Sequence, residues 1–304
     1  MKLSYLWNIL VGSFLFGFIA LVLLIGFLIY STFSTRKEFP YKASKVENAI
    51  ALLRIEGVLS NTEEFVRTIK DIQENPTIQG ILVRINSPGG LVAPSQELYR
   101  EILKYRTQTG KPVVASLDTI ATSGGYYVAS ACSKIIANPG SLTASIGVKM
   151  NFANLEELYQ WLRVKPFALT SGKFKDIGAT YRNMTPDEKQ LLTSLIENIY
   201  DQFIKDILNS RGPILLEKDL RSIADGRIMS GEQALRVKLV DELGGFEDAL
   251  EIIAKLAHIK GKPQLIEPSE KGKNILEYVL EGKWAQKILT KIFISNSPLV
   301  EWSY

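Results

Sequence analysis

The chain has 304 residues, 36 Lys plus Arg against 32 Asp plus Glu, a formal net charge of +4, one histidine and one cysteine. That length allows a sizeable core, and the mild, unclustered charge excludes the basic stripe of a nucleic-acid-binding surface. With Cys132 alone there is no internal disulfide and no cysteine-based zinc site, and any Cys/His dyad or Ser/His/Asp triad would have to use Cys132 or His258. Cys132, in V-A-S-A-C-S, reads as a small core hydrophobe, and His258 as a surface residue at the end of a helix.

In chain order, residues 6–30 carry no charge. At ~1.5 Å per residue they span the ~30 Å hydrocarbon core of a bilayer. The stretch is longer than the ~7–15 apolar residues of a cleaved signal, and no A-x-A site follows. Trp7 and Tyr30 stand near its ends, where amphipathic rings favour the interface. Residues 1–31 are therefore expected to form one transmembrane anchor and 32–46, polar with Pro40, a linker. Lys2 before the segment and Arg36, Lys37, Lys42 and Lys45 after it lean, by the positive-inside rule, toward a cytoplasmic following domain.

A soluble domain, residues 47–262, follows. Strand-like runs at 49–55, 78–85 and 112–117 alternate with helical patterns at 61–75 and 96–105, which argues a parallel-sheet α/β core. Further strands are expected at 134–137 and 146–152. Thr185 followed by Pro186 and Glu188 reads as a capping box, with Pro at the first helical position of a helix running to about residue 209. S-G-E-Q at 230–233 is a second box, and 246–256 a last amphipathic helix. The extension 263–304 has scattered apolar residues, and no motif places it.

The chemistry lies in two glycine loops. N-S-P-G-G (86–90) and T-S-G-G (122–125) each follow a strand in the same sense. Ser123 either caps the helix that follows or is a nucleophile at a strand-to-helix elbow. Two such loops at one sheet edge could aim two N–H groups at one oxygen, the requirement for an oxyanion hole. With histidine scarce, lysine is the leading base, as in Ser-Lys variants of the triad. It must be neutral, so an amine of pKa ~10.4 has to be lowered by ~3 units through burial. The catalytic lysine is therefore expected to be buried. T-S-G-K-F-K-D-I-G (170–178) offers Lys173 and Lys175, and spacing does not choose between them.

These blocks, with G-S-L-T-A-S-I-G-V (140–148), S-G-K-F-K-D (171–176) and V-D-E-L-G-G (240–245), resemble the signal peptide peptidase A family of membrane-bound serine proteases. The resemblance covers some two-thirds of the chain in five ordered blocks. It implies a ClpP/crotonase-like spiral of β-β-α units, with Ser123 as nucleophile, Lys175 as general base, Ser145 orienting the lysine amine, and the backbone N–H groups of Gly90 and Gly124 as oxyanion donors. It implies no cofactor or metal. It also implies a ring-like homo-oligomer in a bacterial cytoplasmic membrane, with its catalytic domain outside, that degrades signal peptide remnants and other hydrophobic peptides. Ala144, Lys238 and Ala179-Thr180 depart from the family pattern, and the first bears on the geometry at Ser145. An acyl-CoA hydratase or hydrolase on the same core, which would not need Lys175, and an inactive membrane scaffold are the alternatives. Asp118 reads as a turn or capping residue rather than a triad acid, Asp176 as a surface ion-pair partner, and Tyr126 and Tyr127 as core.

Overall fold

The computed structural model describes residues 48–212, 214–267 and 300–302. The expected anchor, the linker and most of the 263–304 extension lie outside the described residues. No helix among those described is long and apolar enough to cross a membrane.

Three long apolar runs form strands β1 (Ala49–Glu56), β2 (Ile78–Ser87) and β4 (Val113–Thr122), with alternate residues buried on opposite faces. Such runs belong to parallel strands covered on both sides. With β5 (Lys134–Ala137), β9 (Glu242–Leu243) and β10 (Gln264–Ile266) they form a parallel sheet in the order β10-β1-β2-β4-β5-β9. The sheet forks at β4. Val114 to Leu117 pair with β5, whereas Ile120 to Thr122 pair with β6 (Leu142–Ala144), itself antiparallel to β8 (Ile228–Ser230). This mixed α/β arrangement fits the ClpP-like peptidase fold that the resemblance implies.

The helices are α1 (Glu63–Glu74), α2 (Val92–Thr109), α3 (Gly124–Ser130), α4 (Glu156–Trp161), α5 (Pro186–Arg211), α6 (Glu217–Ile223), α7 (Gly231–Arg236) and α8 (Phe246–Leu256). Helix α8 lays Ala249, Leu250 and Ile253 on Ile50, Leu52, Leu82, Val114 and Ile136. The alternate residues Ala51, Leu53, Ile55, Val83 and Ala115 meet α2, α3 and α5 on the other face, through Ile102, Tyr127 and Phe203 among others. Each Val, Leu, Ile or Phe among these contributes about 1.5–3 kcal/mol of burial, and each Ala less.

Two expectations differ from the structure. The strand foreseen at 146–152 shrinks to β7 (Lys149–Met150), which joins β3 (Gly90–Leu91) and β11 (Val300–Trp302) in a small second sheet. Residues 264–266, assigned to the extension, add β10 to the edge of the main sheet beside β1. Nothing local in either segment announces these pairings, because the partner strands lie far away in sequence.

The first capping box forms as read. Thr185 N–H donates to Glu188 Oε2 at 2.8 Å, and Glu188 N–H to Thr185 Oγ1 at 3.3 Å. Arg182 forks onto both oxygens of buried Glu188, at 2.7 and 2.9 Å. The guanidinium first, and the Thr185 N–H second, hold the Glu188 carboxyl down to about 2, from 4.5. A depressed carboxylate stabilises the fold fully above its unfolded pKa and loses that contribution as pH falls toward the folded one. The thermal midpoint is thus expected to fall as pH drops from 4.5 to about 2. Glu188→Gln should lower the midpoint at pH 7 and flatten this acid limb, as measured by thermal unfolding against pH.

Candidate active site

The first glycine loop is shaped by backbone contacts from a distant turn. Gly57 N–H donates to Asn86 O at 3.0 Å, Leu59 N–H to Gly89 O at 2.8 Å, and Leu91 N–H to Leu59 O at 2.7 Å. Leu59 therefore clamps both sides of Gly90, and a Cβ on Gly90 would collide with the Leu59 backbone. Ser87 Oγ donates to Gly57 O at 2.6 Å and accepts from Gly89 N–H at 3.1 Å. The N-S-P-G-G residues are thus a braced turn that presents Gly90 at the start of β3.

The second loop is tied to the first. Thr122 Oγ1 donates to Pro88 O at 3.1 Å, and Ser87 pairs with Ala121 across β2 and β4. Gly125 passes so close to the first loop that a Cβ would lie 2.8 Å from Ser87 O. Between them stands Ser123, fully buried, at φ +54° and ψ −118°. Its hydroxyl makes no capping bond to helix α3, and its buried Oγ has no hydrogen-bond partner among the described residues. An orphaned buried hydroxyl costs about 1–3 kcal/mol, and a strained backbone a further 1–3 kcal/mol or so. Capping therefore does not account for this serine, and strain of this kind marks functional sites.

The Ser123 N–H is spent on Ala144 O, at 2.8 Å. On this side of the elbow the N–H left over is that of Gly124, which opens α3 and has no acceptor in its own helix. The same bond carries the elbow to Ser145, the next residue, which is buried and held by Ser145 N–H to Arg227 O at 2.9 Å. Ala144 and Ser145 both have positive φ, +64° and +53°. At such a position a Cβ costs about 1–2 kcal/mol. Ser145 lines a cavity of about 380 Å³ together with Gly147, Lys149, Tyr200 and Asp225. Ser123 is not on its wall.

Lys175 is where the structure departs from the expectation. Residues 173–178 form turns rather than an extended run, and Lys175 is exposed instead of buried. No hydrogen bond joins its ammonium to Ser123 or Ser145 within the chain, and among the described residues it has no ion-pair partner. Lys173, the other candidate, is engaged: it pairs with Asp187 at 2.5 Å and lies 5.2 Å from the centre of the Phe174 ring. The surrounding segment leaves Trp161, Phe167 and Leu169 77%, 81% and 92% exposed. So much bare apolar surface beside an uncovered lysine indicates a face built to be covered.

The remaining residues take structural roles. Asp118 pairs with Arg84 at 2.8 Å, well served without a histidine. Asp176 accepts from Arg182 at 3.1 Å and Tyr181 at 2.8 Å rather than meeting Lys175. Tyr126 and Tyr127 are fully buried, the first donating to Leu239 O at 3.0 Å, the second stacked on Tyr99. Burial pushes the Cys132 thiol up to about 12, which leaves it inert. His258 is exposed just past α8. Sequence reading missed Leu59 and Thr122. Leu59 acts through its main chain, which carries no residue signal, whereas Thr122 stood in the quoted T-S-G-G block.

Comparison with known proteins fits this geometry. The family model described as peptidase family S49 matches residues 105–260, just over half of the 304. The chain is similar to a Synechocystis sp. protein named "Putative protease", 40% identical over 72% of this chain and 78% of the relative. It is similar to the "Putative signal peptide peptidase SppA" of Enterococcus faecium, 31% identical over 68% of this chain and 63% of that protein. Against "Protease 4" of Salmonella typhi it is 33% identical over 63% of this chain, a span that covers 30% of that protein. The strained serine lies within the stretch that the family model matches, and the chain belongs to peptidase family S49, the family of the signal peptide peptidase A serine proteases.

Proposed function

We propose that the protein is a membrane-anchored endopeptidase using a Ser123–Lys175 dyad, with signal peptide remnants and other hydrophobic peptides as substrates. The observation that carries this reading is Ser123, strained, buried and with its hydroxyl unpaired, between two glycine loops stitched together at Thr122 and Pro88. The neutral Lys175 amine takes the Ser123 proton as Oγ attacks the scissile carbonyl. The N–H groups of Gly90 and Gly124 receive the oxyanion. The protonated amine then delivers its proton to the departing peptide nitrogen, and the lysine activates water to release the acyl group. Ser145 orients the amine.

A lysine base needs dehydration, and one copy of the chain leaves Lys175 exposed. The protein therefore works as a homo-oligomer, in which a second copy covers the apolar segment around Trp161 and Phe167 and brings a lysine to a serine. The anchor places the assembly in a bacterial cytoplasmic membrane, its catalytic domain on the outer face, with the bilayer and peptides as partners and no nucleic acid.

A fluorophosphonate probe tests the nucleophile. We expect covalent labelling of the full chain that peptide mapping places on Ser123 and that Ser123→Ala abolishes. Labelling elsewhere, or none, overturns the reading.

A further inference from the structure

Two helices begin at the proposed oxyanion donors. α2 opens two residues after Gly90, and α3 opens at Gly124 itself. An oxyanion hole works only where both N–H groups lie about 2.7–3.1 Å from one oxygen, so the spacing of these two helices is part of the chemistry. One residue of α5 reaches both. The Tyr99 hydroxyl of α2 donates to the Asp206 main-chain O at 2.7 Å and accepts from Ser210 Oγ at 2.6 Å. The Tyr127 hydroxyl of α3 donates to the Asp206 carboxylate. The two tyrosine rings stack on each other, 5.1 Å apart and 16° from parallel. Phe203, three residues before Asp206 and so on the same face of α5, meets Tyr127 edge-on at 4.5 Å.

We infer that Asp206 is a positioning residue: with Tyr99 and Tyr127 it fixes the separation of α2 and α3, and so aims the Gly90 and Gly124 N–H groups at a common point. This rests on the peptidase reading for what the two donors serve. Tyr127 is the direct link to the elbow, because its own N–H donates to Ser123 O at 2.8 Å. A shift of Tyr127 is passed on to the serine. The Ser123 backbone, at φ +54° and ψ −118°, keeps that conformation only while its surroundings impose it. α3 is a helix of seven residues whose first two are glycines, with no side chain to anchor. Directional bonds to the rest of the fold come from its tyrosines, Tyr126 on Leu239 O and Tyr127 on Asp206. The Tyr127 bond is the one that leads to α2, and through α2 to the first glycine loop.

Two variants break the α3 tie from opposite ends. Tyr127→Phe keeps the ring and its stacking and removes the bond. Asp206→Ala removes the carboxylate and keeps the main-chain oxygen that receives Tyr99. Each should lower kcat on an internally quenched Leu/Ala octapeptide by about ten- to a hundredfold, the scale of a misplaced catalytic group, with KM unchanged. Each should slow fluorophosphonate labelling of Ser123 by a similar factor, because the phosphoryl oxygen enters the same hole as it reacts. Asp206→Asn keeps an acceptor for the tyrosine and should recover most of the lost kcat. Tyr105→Phe is the control: it removes a buried tyrosine hydroxyl of α2 that has no hydrogen-bond partner among the described residues, and it should match the parent. A role in stability alone would lower the thermal midpoint of Tyr127→Phe and Asp206→Ala and leave kcat, measured well below that midpoint, at the parent value. That result overturns the proposal, as does a KM that rises while kcat holds, or an equal loss of kcat in Asp206→Asn and Asp206→Ala. In each of these cases an active, labelled parent leaves the peptidase reading standing. A parent that is neither active nor labelled ends the peptidase reading and this proposal together.

Discussion

Ser123→Ala and Lys175→Ala are each expected to lower kcat on an apolar peptide by about ten-thousand-fold or more, the loss seen when a nucleophile or its base is removed. The two variants should not behave alike when mixed. Among the described residues Lys175 is exposed with no ion-pair partner, and the Ser123 hydroxyl has no hydrogen-bond partner. If the amine comes from a second copy, co-assembled Ser123→Ala and Lys175→Ala subunits regain activity. An intact serine then meets an intact lysine at roughly a quarter of the sites in a random mixture. Recovery is read as peptidase activity after dissociating and reassembling equal amounts of the two. No recovery from mixtures shown to contain both subunits would place the dyad within one chain. Lys173→Ala provides the comparison, because Lys173 is held by Asp187, and its loss should change kcat little.

Asp241→Ala is expected to cost about 3–5 kcal/mol of stability, the penalty for leaving one partner of a buried ion pair uncompensated. Asp241 lies in the V-D-E-L-G-G block, which the resemblance singles out without a role. In the fold its carboxylate receives Arg211 at 3.1 and 3.2 Å, from the last turn of α5, and the Ile135 N–H of β5 at 2.7 Å. The Arg211 side chain is 3% exposed and that of Asp241 10%. Removing the carboxylate strands a guanidinium in the core and frees a strand N–H. At about 2–4 °C per kcal/mol for a domain of this size, the thermal midpoint should drop by roughly 10 °C. Asp241→Asn keeps an acceptor and should lose less. Arg211→Met combined with Asp241→Leu should be more stable than Asp241→Ala alone, because no charge is then left unpaired. A drop under about 1 kcal/mol in Asp241→Ala would show that water reaches this pair and screens it.

Much of the framework was legible because its signals are local. The long parallel strands β1, β2 and β4 announce themselves as apolar runs, and α5 begins at Pro186 because Thr185 and Glu188 form a capping box within four residues. Helix α8 spans residues 246–256 as the periodicity predicts. The elbow was legible too, since Ser-Gly-Gly after a strand leaves few other conformations open. Local pattern did not decide between a capping hydroxyl and an unpaired one. That required the backbone angles of Ser123 and the absence of any partner within reach.

What the sequence by itself determined is the long parallel strands, the capped and amphipathic helices, the two glycine loops and the family, all of which depend on neighbours within one or two turns or on ordered motifs. Only the tertiary structure decided that Leu59 clamps Gly90, that Thr122 ties one loop to the other, that Arg211 needs Asp241, and that Val300–Trp302 lies against Gly90. Each of these joins groups tens to hundreds of residues apart, through main-chain atoms or through a charge that must find its partner once water is excluded. The exposure of Lys175 belongs to the same class, because burial is a property of what packs over a residue and not of the residue itself.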